Sequence, residues 1–174
     1  MDIMLRKETP DDYGQVAGVI RMAFCQENEA TLVEKLRQNP KYNANLSMVA
    51  DYKGNVIGHI LFFPIVIRTG ESEIESLALA PLSISPEFQR MKIGGRLIQY
   101  GLRAAKNIGH SSVIVLGHPE YYSRFGFAPA RKWGIVAPFE VPIDALMGIE
   151  LEENALINAA GMVEYPIEFA GVIR

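Results

Sequence analysis

The apolar positions change period several times along the 174 residues of the chain, and each change predicts an element. Residues 3–6 read as a short first strand. After Thr9, Pro10, Asp11 and Asp12, the apolar residues Val16, Val19, Ile20, Ala23 and Phe24 recur at helical spacing. A capping threonine, a proline at the first helical position and acids in the first turn mark that helix start. Leu32, Val33 and Leu36 give a second helix over residues 29–37, ended by Asn39 and Pro40. Residues 46–51 and 56–68 read as two strands joined by a tight turn at residues 52–55, which predicts a hairpin. A third long strand covers residues 74–85; Pro81 inside it predicts a bulge or an unpaired edge. From Gly94 onward, Leu97, Ile98, Leu102 and Ala105 line one helical face, and Gly109 is placed to stop the helix. Residues 113–116 form a wholly apolar strand of the kind found at the centre of a sheet. A short helix at residues 120–125 ends at Gly126, and two more strands are expected near residues 134–136 and 168–173. The order β-α-α-β-β-β-α-β-α-β-β is an α/β layout around one mixed sheet. No linker divides it, which predicts a single domain over residues 1–174.

Composition narrows the partners. With 20 acidic against 17 basic residues the chain has a net charge of −3, and no basic stripe offsets it, so a nucleic-acid partner is not expected. The longest apolar run, residues 56–67, contains His59 and Pro64 and is too short for a bilayer, so no membrane span is expected. The N-terminus lacks the basic and apolar regions of a secretory signal, and the lone Cys25 cannot form an internal disulfide. A cytoplasmic location follows as the expectation. No metal site is expected.

The densest chemistry lies where the third long strand turns into the strong helix. Leu82, Ser83 and Ile84 end the strand; Gln89, Arg90, Met91, Lys92, Ile93, Gly94, Gly95 and Arg96 lead into the helix. The first backbone N–H groups of a helix have no internal partners and point out of its positive end, which suits a pyrophosphate. Gly94 and Gly95 allow a ligand to approach the backbone closely. The same glycines would also serve simply to pack the helix against the sheet. Neither a dinucleotide fingerprint nor a P-loop is present.

This stretch resembles the acyl-CoA loop of the GNAT superfamily of N-acetyltransferases, Gln/Arg-x-x-Gly-x-Gly/Ala after a strand end. Gln89 and Gly94 are on pattern, while Lys92 stands where the first glycine would be. A lysine tolerates left-handed backbone angles less well than glycine, yet it also sets a cation near the phosphates. The segment from Val113 to Phe127 resembles the next strand and helix of the family, with Tyr122 on its tyrosine and Gly126-Phe127 on its Gly-Phe pair. The opening cap and the hairpin with Asp51, Gly54 and Gly58 are also similar, so the likeness covers most of the chain. The nearest subgroup is one of uncharacterised bacterial GNAT proteins. The implied fold is a mixed, mostly antiparallel twisted sheet flanked by helices.

The resemblance implies transfer of an acetyl group from acetyl-CoA to a primary amine of a small molecule or protein, by direct attack on the thioester. Strands would splay near Pro81, and the pantetheine arm would pair with backbone at Leu82 and Ile84. Tyr122 would lie near the CoA sulfur and protonate the leaving thiolate, with Phe125 beside the cofactor. The general base is left between Glu75, on the long strand, and His118, after the central strand; a solvated glutamate and a plain loop histidine are the competing readings. His59 alternates with apolar neighbours and is read as structural, and Cys25 as packing. Glu27 and Glu29 are left between an acceptor pocket and a solvated surface. A domain that binds acyl-CoA without turnover is the alternative function. The tail beyond Trp133 is left between closing the acceptor pocket and a homodimer contact.

Overall fold

Nine strands and four α-helices, with six short 3-10 turns between them, make up the described part of the computed structural model, which covers residues 1–172. In chain order these are β1 (Ile3–Lys7), α1 (Tyr13–Phe24), α2 (Asn28–Gln38), β2 (Ser47–Tyr52), β3 (Asn55–Arg68), β4 (Glu73–Ile84) and α3 (Ile93–Asn107). Then follow β5 (Ser112–Leu116), α4 (Pro119–Tyr122), β6 (Ala128–Pro129), β7 (Ile135–Val136), β8 (Leu146–Glu150) and β9 (Gly161–Glu164). The chain forms two compact units, the first made of Met1–Phe63 and Ala80–Ala104, the second of Pro64–Leu79 and the residues from Ala105 on. It passes from one to the other inside β3, β4 and α3.

In the first unit β1 runs antiparallel to β2, from Ile3 opposite Tyr52 to Lys7 opposite Met48. β2 runs antiparallel to β3, with a register shift between Ala50 and Asp51. The turn between them needs left-handed backbone at two successive residues, which Lys53 (φ 52°) and Gly54 (φ 84°) supply. The end of β4 joins β3 through Ser85 N–H, which donates to Ile57 O at 2.8 Å. Leu97 and Ile98 of α3 are fully buried, as the helical spacing predicts. At Gly101 a Cβ would lie 2.2 Å from the Phe62 ring, so the bare backbone is what lets α3 lie so close to β3. At the entrance to α1 the Arg6 guanidinium bridges Asp12 (2.8 Å) and Asp51 (3.0 Å). That pair holds the Asp12 carboxyl down, to about 2.

One buried polar cluster departs from the apolar core. Glu8 accepts hydrogen bonds from Arg37, Tyr42 (3.3 Å) and Ser47 (2.5 Å), and Ser47 meets His59 Nε2 at 2.9 Å. His59 is wholly shielded from solvent; burial, then the Arg37 cation, pushes its pKa down to about 3. An unfolded histidine titrates at about 6.5, so as pH falls the unfolded chain takes its proton first. Stability contributed by the neutral imidazole is therefore complete above pH about 6.5 and drains as pH falls toward about 3, at about 1.4 kcal/mol per pH unit. Thermal melts through that window should show this slope in the wild type and a flatter one in His59→Gln.

In the second unit β4 runs parallel to β5, Leu77 opposite Val113 and Ala78 opposite Ile114. β5 then pairs antiparallel with β8, from Ser112 opposite Glu150 to Leu116 opposite Leu146, and β6 adds to the far side of β8. The far end of β3 pairs antiparallel with β9, and β9 runs parallel to β7. The β4–β5 ladder ends at Ala78 and Ile114, although β5 continues for two residues paired with β8. The architecture is thus the expected mixed, mostly antiparallel sheet flanked by helices.

The tail corrects the sequence-based expectation. No strand forms over residues 168–172; Ile167–Gly171 is a 3-10 turn set up by Pro166 at φ −56°, and position 173 lies outside the described residues. A single buried aromatic, Phe169, anchors it, while Ile167 is 86% exposed, so no alternating apolar face exists to be paired. β6, β8 and β9 went unpredicted. Gly148 weakens the strand signal of β8, yet a Cβ there would press on Ile114 and Trp133 at 3.2 Å.

Candidate active site

The segment that the sequence predicts to bind an anion runs from the end of β4 through the first turn of α3. Ser83 is buried, Leu82 and Ile84 are half-buried, and a 3-10 turn (Pro86–Phe88) turns the chain outward. Gln89 Nε2 donates back to Ile84 O at 3.1 Å, clamping the two sides of the loop. Tyr52 stacks obliquely on Phe88, with ring centroids 5.8 Å apart. Arg90 and Lys92 both adopt left-handed backbone, at φ 66° and 64°. The lysine therefore accepts the angle that glycine would take without strain, at a cost of about 1 kcal/mol. Its side chain and those of Arg90 and Met91 are exposed.

The first helical bond of this turn runs from Arg96 N–H to Lys92 O at 3.2 Å, so the N–H groups of Ile93, Gly94 and Gly95 precede the helical ladder. Ile93, 2% exposed, pins the turn to the core. Arg96 donates to Ile3 O at 3.2 Å, which leaves Arg90 and Lys92 as the loop's cations without a partner among the described residues, with Glu87 as the opposing charge. Three donors at a positive helix end, flanked by two cations, fit a pyrophosphate.

The second unit carries Tyr122, His118 and Phe125 in one segment. β5 ends at Leu116; Gly117 N–H donates to Ala145 O at 2.9 Å; His118 caps α4. The Tyr122 ring packs against Gly117, where a Cβ would meet ring carbon Cε2 at 2.4 Å. Tyr121 and Phe127 meet it edge-on at 5.1 and 5.6 Å, and Tyr121 also meets Phe125 at 5.2 Å. No protein group among the described residues bonds the Tyr122 hydroxyl, and burial followed by the neighbouring Tyr121 raises its pKa above the usual tyrosine value. Arg124 stacks on Tyr121 at 4.7 Å, and an open groove of about 800 Å³ is lined by His118, Pro119, Glu120, Tyr121 and Arg124.

The two candidate bases are not brought together. With Leu77 level with Val113, exposed Glu75 lies level with residue 111, beside His110, whose pKa burial lowers and Glu75 raises. His118 is exposed beyond the other end of β5, roughly 20 Å away at about 3.3 Å per residue. Gly117 escaped the sequence reading; its signal was a glycine between an apolar strand and His-Pro. Gly117→Ala must push the Tyr122 ring aside, and turnover should fall about 10-fold with acetyl-CoA affinity unchanged, measured by steady-state rates and calorimetry.

A family model described as an acetyltransferase (GNAT) domain matches residues 4–130. The chain is 39% identical to the uncharacterised N-acetyltransferase YjhQ of Escherichia coli K12 over 94% of its length and 86% of the relative's. The crystal structure of the GNAT-family YhbS from Escherichia coli in complex with CoA superposes with a TM-score of 0.88 at 29% identity, covering 97% of this chain and 92% of that one. A GNAT-family acetyltransferase from Brucella melitensis in complex with acetyl-CoA gives a TM-score of 0.77 at 29% identity, covering 97% and 98%. Fold and loop define an α/β acyltransferase scaffold. The chain belongs to the GNAT acetyltransferase family.

Proposed function

We propose that the protein transfers an acetyl group from acetyl-CoA to a primary amine of a small molecule or protein. The observation that carries this reading is the free α3 N-terminus behind a left-handed loop at Arg90 and Lys92. The CoA complexes of the two relatives support it. The pyrophosphate binds the N–H groups of Ile93, Gly94 and Gly95, with Arg90 and Lys92 screening its charge. Backbone of Leu82, Ser83 and Ile84 receives the pantetheine arm.

The neutral amine attacks the thioester carbonyl carbon; the C–N bond forms and the carbonyl oxygen takes the negative charge. Collapse breaks the C–S bond, and the amine's proton ends on the thiolate, so the balance is amide plus CoA thiol. A thiol titrates at about 8.5, well below Tyr122 as burial sets it, so complete transfer of the tyrosine proton is uphill. Tyr122 acts instead by donating a hydrogen bond to the departing sulfur, and the proton itself comes from the amine. His118, on the α4 side with Tyr122, is the better placed of the two candidate bases; Glu75 stands at the other end of β5.

Calorimetric titration with acetyl-CoA, with desulfo-CoA and ATP as controls, tests the reading. Saturable binding of acetyl-CoA but not ATP, followed by thiol release in an amine screen, is the expected result. No binding would mean that the strained loop does not accept a pyrophosphate, and the assignment would fall.

A further inference from the structure

Among the described residues, three buried side-chain polar atoms have no hydrogen-bonding protein partner: Arg37 Nε, His59 Nδ1 and Ser83 Oγ. All three belong to the first unit. Leaving such an atom unpaired forfeits its hydration with nothing in return, so a coincidence of three calls for a physical cause.

The hydrogen bonds around His59 settle where its proton sits. The Glu8 carboxylate is paired with the Arg37 guanidinium and can only accept. The Ser47 hydroxyl, 2.5 Å from Glu8 Oε2, must therefore spend its one hydrogen there. Ser47 Oγ can then only accept from His59 Nε2 at 2.9 Å, so Nε2 carries the imidazole hydrogen. In a neutral ring this leaves Nδ1 as a bare acceptor, facing away from the cluster.

What Nδ1 faces follows from the β3–β4 pairing. Ser85 N–H bonds Ile57 O, and a Cβ on Gly58 would meet Ile84 Cδ1 at 2.8 Å, so Gly58 and Ile84 project to the same face. Side chains alternate along strands, which puts His59 and Ser83 together on the opposite face. Both are buried, at 0% and 2% exposure. Cross-strand Cβ atoms lie about 5 Å apart, a spacing that one water bridges when two polar groups line it.

We propose that the space between His59 Nδ1 and Ser83 Oγ is a built site for one water molecule, which completes a hydrogen-bonded chain from Glu8 through Ser47 and His59 to β4. His59 is then a positioning residue for the strand end at Leu82, Ser83 and Ile84. The water and the tautomer stand on the cluster alone; the consequence for ligand binding rests on the acyl-CoA reading above.

Long-range proton–nitrogen NMR of the imidazole should show Nε2 protonated and Nδ1 bare in the wild type, and a mixture of tautomers in Ser47→Ala. A protonated Nδ1 in the wild type would overturn the chain. A high-resolution crystal structure should place one ordered water within hydrogen-bond distance of both atoms; a direct His59–Ser83 bond would overturn the site. In calorimetry, Ser47→Ala should bind acetyl-CoA about 10-fold more weakly at unchanged stoichiometry. A variant that was merely partly unfolded would instead lose stoichiometry and keep its affinity, and that result, or no change at all, sinks the positioning role. If the wild type itself binds no acetyl-CoA, the acyl-CoA reading and the positioning role fall together, whereas the NMR and crystallographic readouts still decide the water and the tautomer.

Discussion

Gly94→Asp should weaken acetyl-CoA binding by at least about 100-fold while leaving the protein as stable as the wild type or slightly more so. Gly94 lies in the first turn of α3, ahead of the bond from Arg96 N–H to Lys92 O, where N–H groups point out of the helix. A carboxylate there interacts favourably with the helix dipole, by about 0.3–1 kcal/mol, and replaces a glycine that costs a helix about as much again. The same carboxylate competes for the donors proposed to hold the pyrophosphate and repels its charge. The two effects carry opposite signs, so a melt and a titration on one sample separate them. Loss of binding with loss of stability would point to a fold defect. Unchanged binding would remove the α3 N-terminus from the site.

Tyr122→Phe should lower turnover about 10²-fold and leave acetyl-CoA affinity within about two-fold. The ring is held by Gly117, Tyr121 and Phe127, and phenylalanine keeps all of those contacts. Only the hydroxyl is lost, and no protein group among the described residues depends on it. A group that hydrogen-bonds the sulfur only as charge develops there acts on the rate and not on binding. Full turnover in the variant would take Tyr122 out of the mechanism and leave the thiolate to solvent or to the amine proton alone.

Much of this was legible before any coordinates. The cap at Thr9 and Pro10, the amphipathic stripe of α3 and the apolar run of β5 are local signals, because backbone capping and burial periodicity act within a few residues. The loop from Gln89 to Gly95 was legible for the same reason: a strand end, two glycines and a helix start are adjacent in sequence. Lys92 was not. Whether a lysine accepts left-handed backbone depends on what the rest of the loop imposes, here the Gln89 clamp to Ile84 and the anchoring of Ile93 in the core. The tail was misread because its strands are short and interrupted by Gly148 and Gly161, whose missing side chains are needed by neighbours far away in sequence. At Gly161 a Cβ would stand 2.1 Å from the carbonyl oxygen of Arg68.

His59 marks the boundary between the two kinds of information. Its alternation with apolar neighbours, which depends only on the two-residue repeat of a strand, was enough to place it inside. Its partners come from elsewhere: Glu8 at the end of β1, Arg37 from α2 and Ser47 from β2. The sequence by itself determined the order and type of most elements, the family and the glycine-rich start of α3, since each follows from neighbours along the chain. Only the tertiary structure decided which buried polar atoms meet, which glycines make room for distant rings and carbonyls, and that Glu75 and His118 stand at opposite ends of one strand. Those are contacts across many residues, and their outcome depends on packing and pairing that no local pattern encodes.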